Sequence, residues 1–233
     1  MDDDTRSIPP SDVPLAAPYP AAPPPAVSSP PLWGQVLRVA WLSIGLGLLL
    51  EIVLLVLAAY LGAAGDTPKP FLSDLAQKVS WGFIVCVGIA FGSTAGKARE
   101  AKMGLLGLIS APAGFAVARA VHKAVSQALN LAVAGSAGVA PFVIGGLKGL
   151  EYGILGAAIG WVGKKAWGGL GAHAATGALI GIVFGAAIVG YSEWITLNQT
   201  PLVQWLSRGV NEFLFPVGCS LVLYASGAMA KRL

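Results

Sequence analysis

Beyond residue 32 the chain alternates between long apolar runs and short breaks rich in charge, proline or polar residues. Six runs approach or exceed the roughly 20 residues that a helix needs to cross a bilayer. The first, Leu37 to Ala64, contains Leu48-Leu49-Leu50 and Ile52-Val53-Leu54-Leu55-Val56-Leu57 and predicts one uninterrupted helix. Gly65-Asp66-Thr67-Pro68-Lys69-Pro70 ends it, since two prolines so close together remove backbone donors. A second helix is expected over about Val79 to Gly96. The third follows Lys97-Ala98-Arg99-Glu100-Ala101-Lys102 and keeps a helical pattern to Leu131. It should bend at Pro112, which has no N–H for the Leu108 carbonyl, and its Arg119, His122 and Lys123 suit a helix end emerging into the interface. The fourth helix starts near Pro141 and ends at Lys164-Lys165, the fifth covers Ala172 to Tyr191, and the last runs from Pro201 to Ala230 before Lys231-Arg232.

Within these runs the small residues are periodic. Gly146, Gly149, Gly153, Gly156, Gly160 and Gly163 are spaced three, four, three, four, three, which keeps them on one helical face. In water so many glycines would cost a helix about 1 kcal/mol each relative to alanine. In a bilayer an unwound segment would leave peptide groups without partners, so the helix persists and its bare face admits a neighbouring backbone. Gly177, Gly181 and Gly185 form a second such seam, Gly88, Gly92 and Gly96 a third, and Gly104, Gly107, Ala111, Gly114 and Ala118 a fourth. The expected fold is an all-α polytopic membrane protein of about six transmembrane helices arranged as glycine-seamed hairpins.

Composition agrees with that class. Of 233 residues 55% are hydrophobic and 11% charged, against about a quarter charged in soluble domains. The formal charge of +4 is dispersed in small groups between apolar runs, which argues against nucleic acid as a partner and makes the basic residues a guide to orientation. Arg38, Lys97-Arg99-Lys102, Lys164-Lys165 and Lys231-Arg232 fall on one side if six helices alternate, with Arg119 and Lys123 opposed. Both termini are therefore expected in the cytoplasm, with a bacterial inner membrane as the setting. Trp161 and Trp167, and Trp194 and Trp205, fall where interfacial rings belong. Residues 1–32 open Met1-Asp2-Asp3-Asp4 and continue in Pro-Ala-Ser text, which reads as a disordered cytoplasmic tail and not a signal peptide, leaving 33–233 as the membrane domain. Cys86 and Cys219 lie in apolar runs without metal spacing and read as buried thiols.

A shift of 71 residues pairs Phe71 with Phe142, Gly82 with Gly153, Gly92 with Gly163, Leu108 with Leu179 and Gly114 with Gly185. Residues 71–123 and 142–194 are thus candidate units of a parallel tandem repeat.

Charges inside apolar helices are the positions that suggest chemistry, since each costs at least about 2.5 kcal/mol at the bilayer centre. Glu51 lies 13 residues after Arg38 and Glu151 lies 13 before Lys164, each about 20 Å along a helix and so near mid-membrane. Lys148 precedes Glu151 by three residues, and Arg208 precedes Glu212 by four, so each pair can neutralise itself within one helix. Glu51 has no such neighbour, and Lys148 or Arg208 is its expected partner across the bundle. Together Glu51, Lys148, Glu151, Arg208 and Glu212 suggest a path for a proton, cation or small polar solute in a small transporter or channel component. The alternative is a non-catalytic scaffold or accessory subunit, whose seams join partner membrane subunits or a second copy of the chain. His122 and His173 read as interfacial surface residues without metal-ligand spacing. No GxSxG, HExxH or phosphate-loop motif is present, so no enzymatic activity is expected and no cofactor is named. Asn198-Gln199-Thr200 matches a glycosylation triplet, with Pro201 against its use.

Overall fold

The computed structural model describes residues 32–62, 69–94, 98–131, 140–195 and 200–230. The tail, Gly96, Lys97, Asn198 and Lys231-Arg232 lie outside the described residues. All regular structure among the described residues is helical: α1 Leu32–Tyr60, α2 Lys69–Ser93, α3 Arg99–Ala128, α4 Ala140–Val162, α5 Leu170–Ile195 and α6 Leu202–Ala230. All six are long and apolar enough to cross a membrane. The 30 residues of α3 rise about 45 Å, well beyond a hydrocarbon core of roughly 30 Å, so the end bearing Arg119, His122 and Lys123 has length to spare beyond it.

One boundary differs from expectation: α2 begins at Lys69, ten residues before Val79. α3 continues through Pro112, in keeping with its helical pattern, and ends at Ala128, three residues short of Leu131. Proline at a helix start is harmless, because the first-turn N–H groups have no intrahelical partner, so Pro70 opens α2 instead of blocking it. Pro112 sits within α3 where its ring packs beside Gly149 of α4, and the neighbouring helix supports the position. The last turn of α3 is closed by Asn130 in a left-handed conformation (φ 57°), with Leu131 N–H donating to the Ser126 carbonyl.

The helices form a ring in chain order. Each packs mainly on its sequence neighbours, α6 returns to α1, and the even-numbered helices touch across the middle. The small residues decide how closely the backbones approach. Gly149, Gly153, Gly156 and Gly160 of α4 all face α3, where a Cβ at Gly149 would lie 3.1 Å from the Leu108 carbonyl oxygen and one at Gly160 2.9 Å from Glu100 Cα. Gly146 faces open space and Gly163 lies one residue past the helix, so four of the six glycines make the contact. On its other side α3 receives Gly92 of α2 against Met103 and sets its own Gly114 against Ile84 and Val85. Gly177, Gly181 and Gly185 of α5 lie over Val217, Phe213 and Glu212 of α6. α2 and α4 run in the same direction with Trp81 beside Tyr152, 71 residues on, yet α2 packs along α3 far more extensively than α4 does along α5.

The polarity of this ring is reversed relative to a soluble domain. Large apolar side chains such as Trp41, Leu49, Val56, Ile109, Leu179 and Ile182 point outward, whereas Glu51, Lys148, Glu151 and Glu212 are buried. An apolar exterior around an ionic interior suits lipid as the surrounding solvent.

Candidate functional site

A cavity of about 490 Å³ enters the ring from one end. Its walls come from the C-terminal half of α1, the N-terminal halves of α2 and α6, Phe115 and Ala118 of α3, and Lys148 of α4. Side-chain exposure distinguishes mouth from floor. Asp74 and Arg208 are 44% and 37% exposed, while Lys148 and Glu212 are 7% and 11% exposed. Near the mouth, His122 Nε2 lies 3.1 Å from Asp74 Oδ1, an ion-pairing carboxylate that sequence spacing alone did not supply to His122.

Four residues expected to form a path line this cavity: Glu51, Lys148, Arg208 and Glu212. Glu151 is fully buried and is not in the cavity wall. The Lys148–Glu151 pair forms as anticipated, and the pairings of Glu51, Arg208 and Glu212 differ. Glu51 is bound by Lys78 of α2, and neither Lys148 nor Arg208 is its cation. Lys78 escaped notice because α2 was expected to start after it, yet Asp74, Gln77, Lys78 and Trp81 recur at the three- and four-residue spacing that puts them on one face. Starting the helix at Pro70 would have exposed that stripe. Lys148 Nζ lies 2.9 Å from Glu151 Oε2, three residues on along the same helix, and also donates to Glu212 of α6. Glu212 is therefore held across the bundle by Lys148, while Arg208 reaches toward Glu193 of α5 at 3.8 Å.

Beneath these charges the even-numbered helices supply one aromatic side chain each. Trp81 meets Tyr152 edge-on at 5.4 Å between ring centroids and Phe215 at 6.3 Å, and it touches Phe115 of α3 in the same manner. Lys148 Nζ stands 5.6 Å from the Trp81 centroid and 5.7 Å from that of Tyr152, so two carboxylates and two ring faces surround the ammonium. About one turn further in, the Cys86 thiol of α2 and the Cys219 thiol of α6 lie 3.1 Å apart as free cysteines. Around and below them Val85, Ile89, Leu155, Ile159 and Leu223 complete an apolar core. Buried polar atoms near the site without a hydrogen-bond partner among the described residues include Glu151 Oε1, Tyr152 Oη and Asn211 Oδ1.

His173 is a correction. It was expected at the surface, but it is 4% exposed, its Nδ1 lies 3.0 Å from the Gly169 carbonyl oxygen, and its ring stacks obliquely on Tyr224. α5 begins at Leu170, before His173, so the histidine lies inside the helix and turns toward α6. No group of three or more metal-ligating side chains occurs among the described residues.

Fold and site together define a multi-pass integral membrane protein of six helices, five of which line a charged, one-sided cavity. No protein-family model, curated protein or solved structure matches the chain.

Proposed function

We propose that the protein is a small transporter or channel component that moves a small polar solute or cation through this cavity. One observation carries the reading: the cavity reaches inward to a buried Lys148–Glu212 pair. Charges used only to tie helices together are an expensive choice, because well-packed apolar residues of similar volume are often as stable or more so. Charges that a water-filled cavity reaches can exchange partners with a solute. The mixture of Glu51, Lys78, Lys148, Arg208 and Glu212 suits a ligand bearing both donors and acceptors. Because the aromatic layer and the core close the inner end, passage requires a second state in which α2, α4 and α6 separate there. That favours alternating access over a standing pore.

The proposed setting is a bacterial inner membrane with both termini in the cytoplasm. Support comes from Arg38, Arg99, Lys102, Lys164 and Lys165, which gather at one end of the ring, where Lys164 pairs with Glu100 at 2.6 Å. The cavity mouth then faces outward.

Reconstitution into liposomes tests the reading directly. Wild-type protein should carry a polar solute or cation, and Glu51→Gln and Glu212→Gln should each lower the rate at least tenfold when flux is normalised to the amount of folded, inserted protein. Stable isolation of a larger membrane complex, with no flux for any solute class, would favour the scaffold.

A further inference from the structure

The charges around Lys148 do not balance. Glu151 and Glu212 both contact its ammonium, and among the described residues it is the basic side chain in ion-pair contact with either carboxylate. The other cations of the cavity are engaged elsewhere, Lys78 with Glu51 and Arg208 toward Glu193. Fully ionised, the three groups would carry one net negative charge in a part of the ring where Glu151 is fully buried. Burial of an uncompensated charge is penalised heavily, and the usual escape is for one group to neutralise.

We propose that the Lys148–Glu151–Glu212 triad is a proton-binding site, holding one exchangeable proton on its two carboxylates at neutral pH. Glu212 borders the cavity and can exchange with water there, whereas Glu151 is fully buried outside the cavity wall, its Oε1 without a hydrogen-bond partner among the described residues. The ammonium thus joins a wet carboxylate to a dry one. The remaining titratable neighbours do not remove the excess charge. Tyr152 on α4, Cys86 on α2 and Cys219 on α6 are neutral when protonated. At the mouth, His122 of α3 faces Asp74.

A metal ion is a poorer occupant than a proton. A hard cation needs several oxygen ligands, and among the described residues no group of three or more metal-ligating side chains is placed to hold one. A proton needs only the carboxylate oxygen. Any role in driving solute movement rests on the transport reading above, but the existence of the site does not.

Infrared difference spectroscopy on the purified full-length protein in lipid nanodiscs provides the test, using pH, D2O and sodium chloride as the probes. Wild type should show, at neutral pH, the carbonyl band of a protonated carboxyl that shifts in D2O. Glu151→Gln and Glu212→Gln should each abolish the band, since either leaves one carboxylate facing one ammonium, and Glu51→Gln should retain it. Absence of the band from wild type would overturn the proposal without reference to any variant's folding. So would its persistence in both triad variants, or its loss on adding sodium at fixed pH, which would identify a metal ion instead. Flux is measured separately: a band without flux leaves the proton site standing and removes the transport reading, and flux without a band does the reverse.

Discussion

At the scale of single residues, the Glu51–Lys78 pair carries the clearest expectation. Glu51 is buried and Lys78 nearly so, with side-chain exposures of 7% and 14%, and they join α1 to α2 beside the cavity. Removing one partner strands the other charge in a site built for two, which typically costs about 3 to 5 kcal/mol. Glu51→Gln and Lys78→Met should each lower thermal stability in detergent by an amount of that order. The double variant should recover most of the loss, because it leaves no unpaired charge. Equal and additive losses in the three proteins would mean that the side chains act separately.

At the scale of elements, the fold depends on α3 being clasped between α2 and α4. Gly156 of α4 meets Met103 and Gly104 of α3 backbone to backbone, as Gly107 of α3 meets Tyr152 of α4, and a Cβ on Gly156 would run into the Met103 carbonyl. Backbone cannot swing aside as a side chain can. Gly156→Leu should therefore destabilise by about 1 to 3 kcal/mol or more through overpacking. Gly146→Leu, from the same periodic series but facing open space, should stay within about 0.5 kcal/mol of wild type. Melting curves of the two variants side by side decide it. Similar losses in both would show that Gly146 meets a neighbour in the membrane.

At the scale of the whole molecule, two expectations concern orientation and motion. An impermeant thiol reagent applied to intact cells should label a cysteine at Tyr60, which is 87% exposed at the far end of α1, and should not label one at Ala98. The opposite pattern would invert the topology. Cys86 and Cys219 test whether α2 and α6 part during transport, because their sulfurs are 3.1 Å apart below the aromatic layer. Oxidative cross-linking with diamide should arrest flux in wild type, dithiothreitol should restore it, and Cys86→Ser should be indifferent to both. Continued flux through the cross-linked protein would place the moving parts elsewhere in the ring.

Read along the chain, residues determine six apolar segments, the faces on which their glycines fall, and the end where basic residues collect. Each of these is local: it depends on hydropathy over about 20 residues, on a 3.6-residue period, or on a count of charges beside a span. The early start of α2 at Lys69 was also legible in principle, through the stripe Asp74, Lys78 and Trp81. What only the tertiary structure decided is which face meets which. Lys148 and Glu212 are 64 residues apart, Glu51 and Lys78 lie on different helices, and the spacing of Arg208 and Glu212 suggested a pairing that the structure does not use. The physical reason is that a helical period states which side chains share a face but not how that helix is rotated within the ring. Rotation is set where backbones come close, as at Gly156 on Met103 and Gly177 on Pro216 and Val217, and those contacts turn the ionic side chains toward one another.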